Sequence, residues 1–404
     1  SFSIRAQILM TDFVAYNIED LRRIAKRKLP RGLFEYIDLG AEDYIALINN
    51  RQVYKKLKLK NRVLVDVSER SCSTKIFGTN LKMPFGISPT ASAGITWFGG
   101  EILLAKAAQR MGVVCTAATS AVTPLDEIYE AAGGEHLWFQ LYMWNDKELR
   151  SRFVERIRDV GYKTLVVTVD GPVGANREHN NRNGYSMPLR YSSRMAGDVL
   201  ARPGWIFRVL LRQHLRRGAF KKENYPAELG KKLSDMSVKQ GQSHTKPDSQ
   251  CWDDIKRIQD IWPGNLLIKG LYSSEDAVLA AKHGLHGVIL SNHGGRYVDN
   301  APSPLQITAE TRAAVGKNFM IAIDSGPRRG SDIIKAVACG ADLVMSGRPT
   351  LYGCAAAGED GAYRALEIFY EEMDRTMAQL GLNSISDIGP QIFWNPPHWA
   401  YPPH

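Results

Sequence analysis

Residues 164–170 read Thr-Leu-Val-Val-Thr-Val-Asp, a β-branched, apolar run that ends on a carboxylate, and an amphipathic helical pattern precedes it at Asp146–Val160. A strand without polar alternation is one buried on both faces, as in a parallel sheet covered by helices. Working outward, seven more such runs recur: Met83–Thr90, Val113–Thr119, Leu137–Tyr142, Leu266–Gly270, Gly287–Asn292, Met320–Gly326 and Asp342–Arg348. Helical patterns lie between several of them, at Glu101–Arg110, Leu125–Ala132, Ser274–Lys282 and Ser331–Cys339, and one follows the last at Gly361–Leu380. Eight units are the count of a closed (β/α)8 TIM barrel. An open doubly wound sheet is the rival, but this chain lacks the early GxGxxG such sheets often carry. The expected fold class is therefore α/β, one barrel domain spanning residues 1–404.

One stretch interrupts the rhythm. Residues 171–265 separate the fourth run from the fifth, far more than a crossover requires. We expect an insertion over about 185–250, then a helix near Trp252–Ile261. The polar part, Ser234–Gln250, reads as mobile, whereas Arg202–Lys222 carries seven Lys or Arg and no acid. Arg208, Arg212 and Arg216 recur at i, i+4, i+8, with Trp205, Ile206, Val209 and Leu210 on the remaining arc. Two readings fit: an interfacial helix drawn to anionic lipid, or a lid that packs its apolar side on the barrel mouth. Ahead of the barrel, the segment 15–60 should hold helices at Ile18–Lys28 and Leu33–Leu47, and the proline-rich tail Asn395–His404 an irregular surface extension.

Composition limits the alternatives. The 404 residues are 44% hydrophobic and 23% charged, which argues against disorder, collagen and coiled coil. No apolar run approaches the ~18 residues of a membrane span, and Ser1–Met10 lacks a secretory layout. Cys72, Cys115, Cys251, Cys339 and Cys354 are scattered, with neither disulfide nor metal spacing, so a reducing cytoplasm is expected. The formal charge of +10 favours anionic partners.

In such barrels the site lies at the C-terminal ends of the strands. Those ends offer Pro89-Thr90, Thr119, Gln140 with Tyr142, Thr168 with Asp170, Lys269, Ser291-Asn292-His293, Asp324-Ser325-Gly326 and Gly347-Arg348. Asp324–Gly330 and Ser346–Arg348 follow the last two strands, where backbone amides and guanidinium forks commonly hold phosphate. His293, followed by two glycines, can approach a ligand as a proton acceptor, and Arg296 can hold a carboxylate bidentately. His136, His283 and His286 precede their strands and read as structural. Lys269 is open to three readings: a cation facing a cofactor, an amine nucleophile, or a buried ion pair with a sheet carboxylate.

The stretches FEYIDLGAED, LWFQLY, TLVVTVD, ANRE, LLIKGL, SNHGGR, DSGPRRGSD and SGRPTLYG span roughly residues 15–385 and resemble the FMN-dependent 2-hydroxy acid dehydrogenases and oxidases. LWFQLY, IKGLYSSEDA and RRGSDIIKA are most similar to the bacterial mandelate dehydrogenase branch. The resemblance implies FMN as cofactor, no metal, and oxidation of an (S)-2-hydroxy acid to the 2-oxo acid. It implies His293 as base, Asp170 as its counter-ion, and Tyr36, Arg177, Arg296 and Tyr142 on the substrate. Lys269, Gln140, Thr168, Thr116 and Pro89-Thr90-Ala91 would meet the flavin ring. Ser291, Asp324 and Ser325 would line its site, and Gly326, Arg328, Gly347 and Arg348 would hold its phosphate. It also implies a homotetramer; Ala91 beside the flavin points to oxygen as acceptor, and the basic insertion 202–222 to a membrane quinone, so a cytoplasmic protein able to sit on the inner membrane face, with no nucleic acid partner, is expected.

The chain departs from the family pattern in places. Thr116 stands for a serine, Tyr297 for the glutamine after HGGR, Pro327 for an apolar residue and Trp97-Phe98 for His-Pro. Gly174 and Ala175, small residues near Arg177, leave room for a bulky acid such as mandelate. Two rival functions remain at this stage: a lyase or isomerase using Lys269 as a Schiff-base amine, and a non-catalytic barrel that binds an anion or a membrane.

Overall fold

The computed structural model describes residues 13–91, 93–185, 192–226 and 248–401. The eight runs form β1 (Phe85–Ile87), β2 (Val114–Ala118), β3 (Leu137–Tyr142), β4 (Thr164–Thr168), β5 (Asn265–Leu271), β6 (Gly287–Leu290), β7 (Met320–Ile323) and β8 (Leu343–Ser346). They close into one barrel of parallel strands in which β8 pairs with β1. Side chains fill its interior: Val114, Trp138, Val166, Leu267, Ile289, Ala322 and Met345 form one buried cluster. A hairpin, Thr74–Ile76 with Thr79–Leu81, inserts Ile76 and Leu81 into that cluster. The barrel is thus a packed core, and chemistry is confined to the opposite rim.

The helices match the periodic segments. The first two are α1 (Ile18–Lys28) and α2 (Arg31–Asp38). Asn17 caps α1 by accepting from the Asp20 amide at 2.9 Å, with acids in its first turn and bases in its last. The single helix expected over Leu33–Leu47 is two, α2 and α3 (Ile45–Lys56). A Cβ on Gly40 would sit 2.5 Å from the Gly295 carbonyl oxygen, and the Ala41 amide donates to that oxygen at 2.8 Å, so the intervening turn is drawn onto the loop after β6. Around the barrel follow α4 (Gly100–Met111), α5 (Leu125–Ala132), α6 (Lys147–Val160), α7 (Trp252–Ile261), α8 (Ser274–Lys282), α9 (Pro304–Val315), α10 (Gly330–Ala338) and α11 (Arg348–Leu380). The sequence reading passed over α9, and it began the last helix at Gly361. Instead α11 starts directly at the end of β8 and kinks at Ala357-Gly358. Its first half is buried all round, so no polar face marks it. The tail is not wholly irregular: a 3₁₀ turn spans His398–Ala400, and Ala400 is fully buried.

The insertion packs on the rim through a helix over residues 203–217 whose central turn, Ile206–Leu211, is widened to i→i+5 bonding. Trp205, Val209 and Gln213 face inward, and the Trp205 indole donates to the Ile95 carbonyl at 2.9 Å. The expected apolar arc is therefore divided. Trp205 and Val209 serve packing, while a different stripe, Phe207, Leu211 and Leu215, faces outward with Leu200. Arg208 lies over the Trp97 ring at 5.4 Å and Arg212 over Phe98 at 4.8 Å, which gives the Trp97-Phe98 departure a role as a platform. Of the segment expected to be mobile, 234–247 lies outside the described residues.

Candidate active site

A cavity of about 1060 Å³ opens at the rim, lined from every barrel strand or the loop that follows it. On one side lies the imidazole of His293, held at φ 55° in a loop where Gly294 and Gly295 also adopt positive φ. A Cβ on Gly294 would meet the Arg348 guanidinium at 2.6 Å, so only glycine lets this backbone fold over the rim. His293 Nδ1 lies 2.9 Å from Asp170 Oδ2, and the Asp170 side chain is 2% exposed. That carboxylate hydrogen-bonds the ring at Nδ1, while Nε2 lies 3.5 Å from the Tyr142 hydroxyl. Burial holds Tyr142 well above its ordinary value, so its hydroxyl stays a neutral donor.

Two guanidinium groups stand nearby. Arg296 donates to the carbonyls of Tyr36 at 2.7 Å and Leu39 at 3.1 Å, and lies 5.2 Å from the Tyr36 ring. Arg177 donates to the Arg296 carbonyl at 3.2 Å. Burial, then the charge of Arg177, pushes Arg296 down to about 9. Arginine does not give up its proton near neutral pH, so the shift means that this cation is uncomfortable without an anion. A carboxylate would relieve both groups.

A second region fits a flavin. Gln140 Nε2 and Thr168 Oγ1 lie on adjacent strands β3 and β4, are buried, and have no partner among the described residues, although both residues line the cavity. Buried polar atoms are nearly always paired, and a flat ring with a hydrogen-bonding edge supplies both partners. Lys269 also lines the cavity, with its ammonium 2.7 Å from Ser291 Oγ and 3.0 Å from Asp324 Oδ2. Ser88 donates to the same carboxylate at 3.3 Å. Ser291 and Asp170 stand behind the wall as supports, since neither lines the cavity. An ion-paired ammonium is the opposite of what a Schiff-base amine needs, so the geometry disfavours the lyase reading.

At the end expected to take the phosphate, the guanidinium of half-buried Arg328 donates only to the Pro327 carbonyl among the described residues, and desolvation pushes it down to about 10. The amides opening α10 are taken: Arg328 and Arg329 donate to Asp332, and Gly330 to Glu372. Arg348 directs its guanidinium at the carbonyls of Ile37, Gly294 and Leu39. A phosphate placed here would be left with the Arg328 side chain and the first turn of α11 at Gly347-Arg348.

The structure brings together Tyr36, Pro89, Thr90, Ala91, Gln140, Tyr142, Thr168, Arg177, Lys269, His293, Arg296, Asp324, Ser325, Gly326, Arg328, Gly347 and Arg348 on one lining. Thr116 is not on it. Its side chain is buried within β2, whose contributions to the wall are Ala118 and, just beyond, Ser120. Sequence reading also missed Ser88, Lys222 and Tyr225, and it noted Tyr297 only as a departure. Ser88 and Ser120 lie at strand ends and were legible there. Lys222 and Tyr225 return from the insertion, where no periodicity announces them. The three histidines that precede their strands have structural contacts, as expected: His136 with Gln109, His286 with the Leu266 amide, and His283 stacked on Trp252.

The sequence matches the FMN-dependent dehydrogenase family over residues 25–395. It is 36% identical over 381 residues to (S)-mandelate dehydrogenase of Pseudomonas putida, covering 94% of each chain. It is 33% identical to 2-hydroxyacid oxidase 2 of Mus musculus, covering 93% of this chain and 97% of the relative. The crystal structure of the monotopic membrane protein (S)-mandelate dehydrogenase superposes with a TM-score of 0.88 at 35% identity, covering 95% of this chain and 100% of that one. With a cavity whose buried donors fit a flavin and whose arginines demand an anion, the chain belongs to the FMN-dependent dehydrogenase family and is an FMN-dependent oxidoreductase of the 2-hydroxy acid class, acting on a CH–OH donor.

Proposed function

We propose that the substrate is a bulky, mandelate-like (S)-2-hydroxy acid, oxidised to its 2-oxo acid with His293 as base. The observation that carries this reading is the convergence of His293 Nε2, the Tyr142 hydroxyl and the Arg177–Arg296 pair on one cavity. The arginines hold the substrate carboxylate and Tyr142 donates to a substrate oxygen. Nε2 accepts a proton from the hydroxyl or the α-carbon, and Asp170 stabilises the imidazolium that forms. FMN, when bound, supplies the two-electron acceptor. Gln140 and Thr168 would hold its ring edge, Lys269 would set a positive charge beside it, and Arg328 with Gly347-Arg348 would hold its phosphate. Room for a large side chain is supported by Gly174, where an added Cβ would meet open space, and by Leu33, Ile95 and Val173 on the same wall.

The outward stripe Phe207, Leu211, Leu215, flanked by arginines, supports peripheral contact with an anionic membrane, where a quinone would reoxidise the enzyme; oxygen is the alternative acceptor. Among the described residues no helix is long and apolar enough to cross a membrane. Assembly as a homotetramer belongs to the same proposal. Anaerobic titration of the yellow protein with a panel of 2-hydroxy acids tests it: (S)-mandelate should bleach the flavin faster than lactate or glycolate. Bleaching by small acids alone would overturn the substrate reading, and admitting air afterwards separates oxygen from quinone as acceptor.

A further inference from the structure

Tyr297 is the first residue after the SNHGGR loop, and it lines the cavity beside both halves of the machinery described above. Its ring stands perpendicular to the His293 imidazole, with centroids 4.7 Å apart and planes at 84°. The same ring lies 5.6 Å from the Arg177 guanidinium carbon. One rigid side chain therefore bears on the base and on one arm of the carboxylate clamp. The Asp170 carboxylate bonds Nδ1 through both oxygens, at 3.0 and 2.9 Å, a fork that tolerates rotation of the imidazole about the line joining the two groups. A perpendicular aromatic neighbour removes that freedom, because tilting either ring brings hydrogens into the other. Arg177 is half-buried and its guanidinium donates to the Arg296 carbonyl, so the tyrosine ring also limits where its fork can aim.

From these contacts we infer that Tyr297 is the positioning residue that sets the spacing between base and clamp. The inference rests on the reading of His293 as base and Arg177 as carboxylate ligand. The ring, not the hydroxyl, performs this role. Burial keeps the phenol neutral, up at about 12, and a neutral aromatic face suits both an adjacent guanidinium and the imidazolium formed in turnover. A glutamine, the residue usual after HGGR in the family, has no face to offer either partner.

The test compares Tyr297→Phe, Tyr297→Leu and Tyr297→Gln with the parent holoenzyme, and His293→Asn is assayed alongside. Flavin content and thermal midpoint establish that each variant is folded and loaded. Tyr297→Phe should keep most of kcat. Tyr297→Leu and Tyr297→Gln should lose up to about 10²-fold in kcat, the scale of a misplacement of about 1 Å. KM should rise less than kcat falls, and the isotope effect with α-deuterated substrate should grow as the chemical step becomes limiting. Should Tyr297→Leu be folded, loaded and as fast as the parent, the inference is wrong. A loss in Tyr297→Phe equal to that in Tyr297→Leu would also overturn it, because the hydroxyl would then be what matters. If His293→Asn itself retains turnover, it is the underlying assignment of the base that fails, an outcome distinct from either.

Discussion

Asp170 Oδ2 lies 2.9 Å from His293 Nδ1 across the barrel rim, joining the end of β4 to the loop after β6. Gly270, at φ 109°, makes this possible, because an added Cβ there would sit 2.6 Å from Asp170 Cγ. The pair fixes which imidazole nitrogen faces the cavity. Replacing His293 by Ala should lower kcat by about 10²–10⁴-fold, the usual worth of a positioned base. The flavin spectrum should persist, because no atom of His293 lies among the groups assigned to FMN. Asp170→Asn should also slow turnover while leaving KM closer to normal. Stopped-flow flavin reduction measures both, and unchanged reduction rates would remove His293 from the mechanism.

Arg328 is half-buried with a single carbonyl as its side-chain acceptor among the described residues, which leaves its charge available to a phosphate under the proposed function. A charge-assisted bond of this kind contributes about 1.5–3 kcal/mol. Arg328→Ala should accordingly weaken FMN by about 10- to 100-fold, read as fluorescence of flavin released on dilution. Arg328→Lys should recover part of the loss. Retention of parental affinity in the alanine variant would move the phosphate elsewhere.

Acid stability should depend on the seam between α1 and α2. Burial alone would raise Asp38, yet Arg22, at 2.7 and 2.6 Å, and the Tyr352 hydroxyl, at 2.6 Å, hold it below the ordinary carboxylate range. A depressed carboxylate contributes stability that is present above its unfolded value of about 3.9 and is lost as pH falls through its folded value. Arg22→Met leaves that charge unpaired and should cost about 1–3 kcal/mol at pH 7, discounted because Arg22 is 31% exposed. The deficit should shrink toward pH 3 as Asp38 takes a proton. Urea unfolding at the two pH values measures it, and a deficit independent of pH would show that packing, not charge, is responsible.

The stripe on the helix over 203–217 gives a binding prediction. Phe207→Ser with Leu215→Ser, two residues 66% and 72% exposed, should release the protein from vesicles rich in anionic lipid without changing turnover of a soluble acceptor. Cosedimentation provides the readout. Binding by the parent should also weaken with salt, because the flanking arginines contribute through charge. Equal cosedimentation of parent and double variant would leave the stripe without a membrane role.

Alternation of apolar runs and helical patterns was enough to derive the barrel, because burial on both faces leaves its mark residue by residue. SNHGGR and DSGPRRGSD pointed to His293, Arg296 and Arg328, all of which line the one cavity, because strand ends and glycines occur at readable spacing. Elements without a polar face, such as the first half of α11, left no such mark. The insertion's periodicity was visible, but which of its apolar residues turned inward depended on Trp97, Phe98 and the Ile95 carbonyl, far away in sequence. Thr116 shares a face of β2 with Ala118 but lies two residues deeper in the barrel, so Ala118, nearer the rim, meets the wall and Thr116 does not.

The amino-acid order alone thus determined the architecture, the cofactor class and most of the chemical groups at the rim, since each is a local pattern repeated or punctuated along the chain. Only the tertiary structure decided that Lys269 is an ion-paired ammonium, that α10 has its amides already satisfied, and that the Tyr297 ring touches both His293 and Arg177. Those are relations between side chains on different loops, set by the closure of the barrel, and closure brings together residues whose spacing along the chain carries no trace of their meeting.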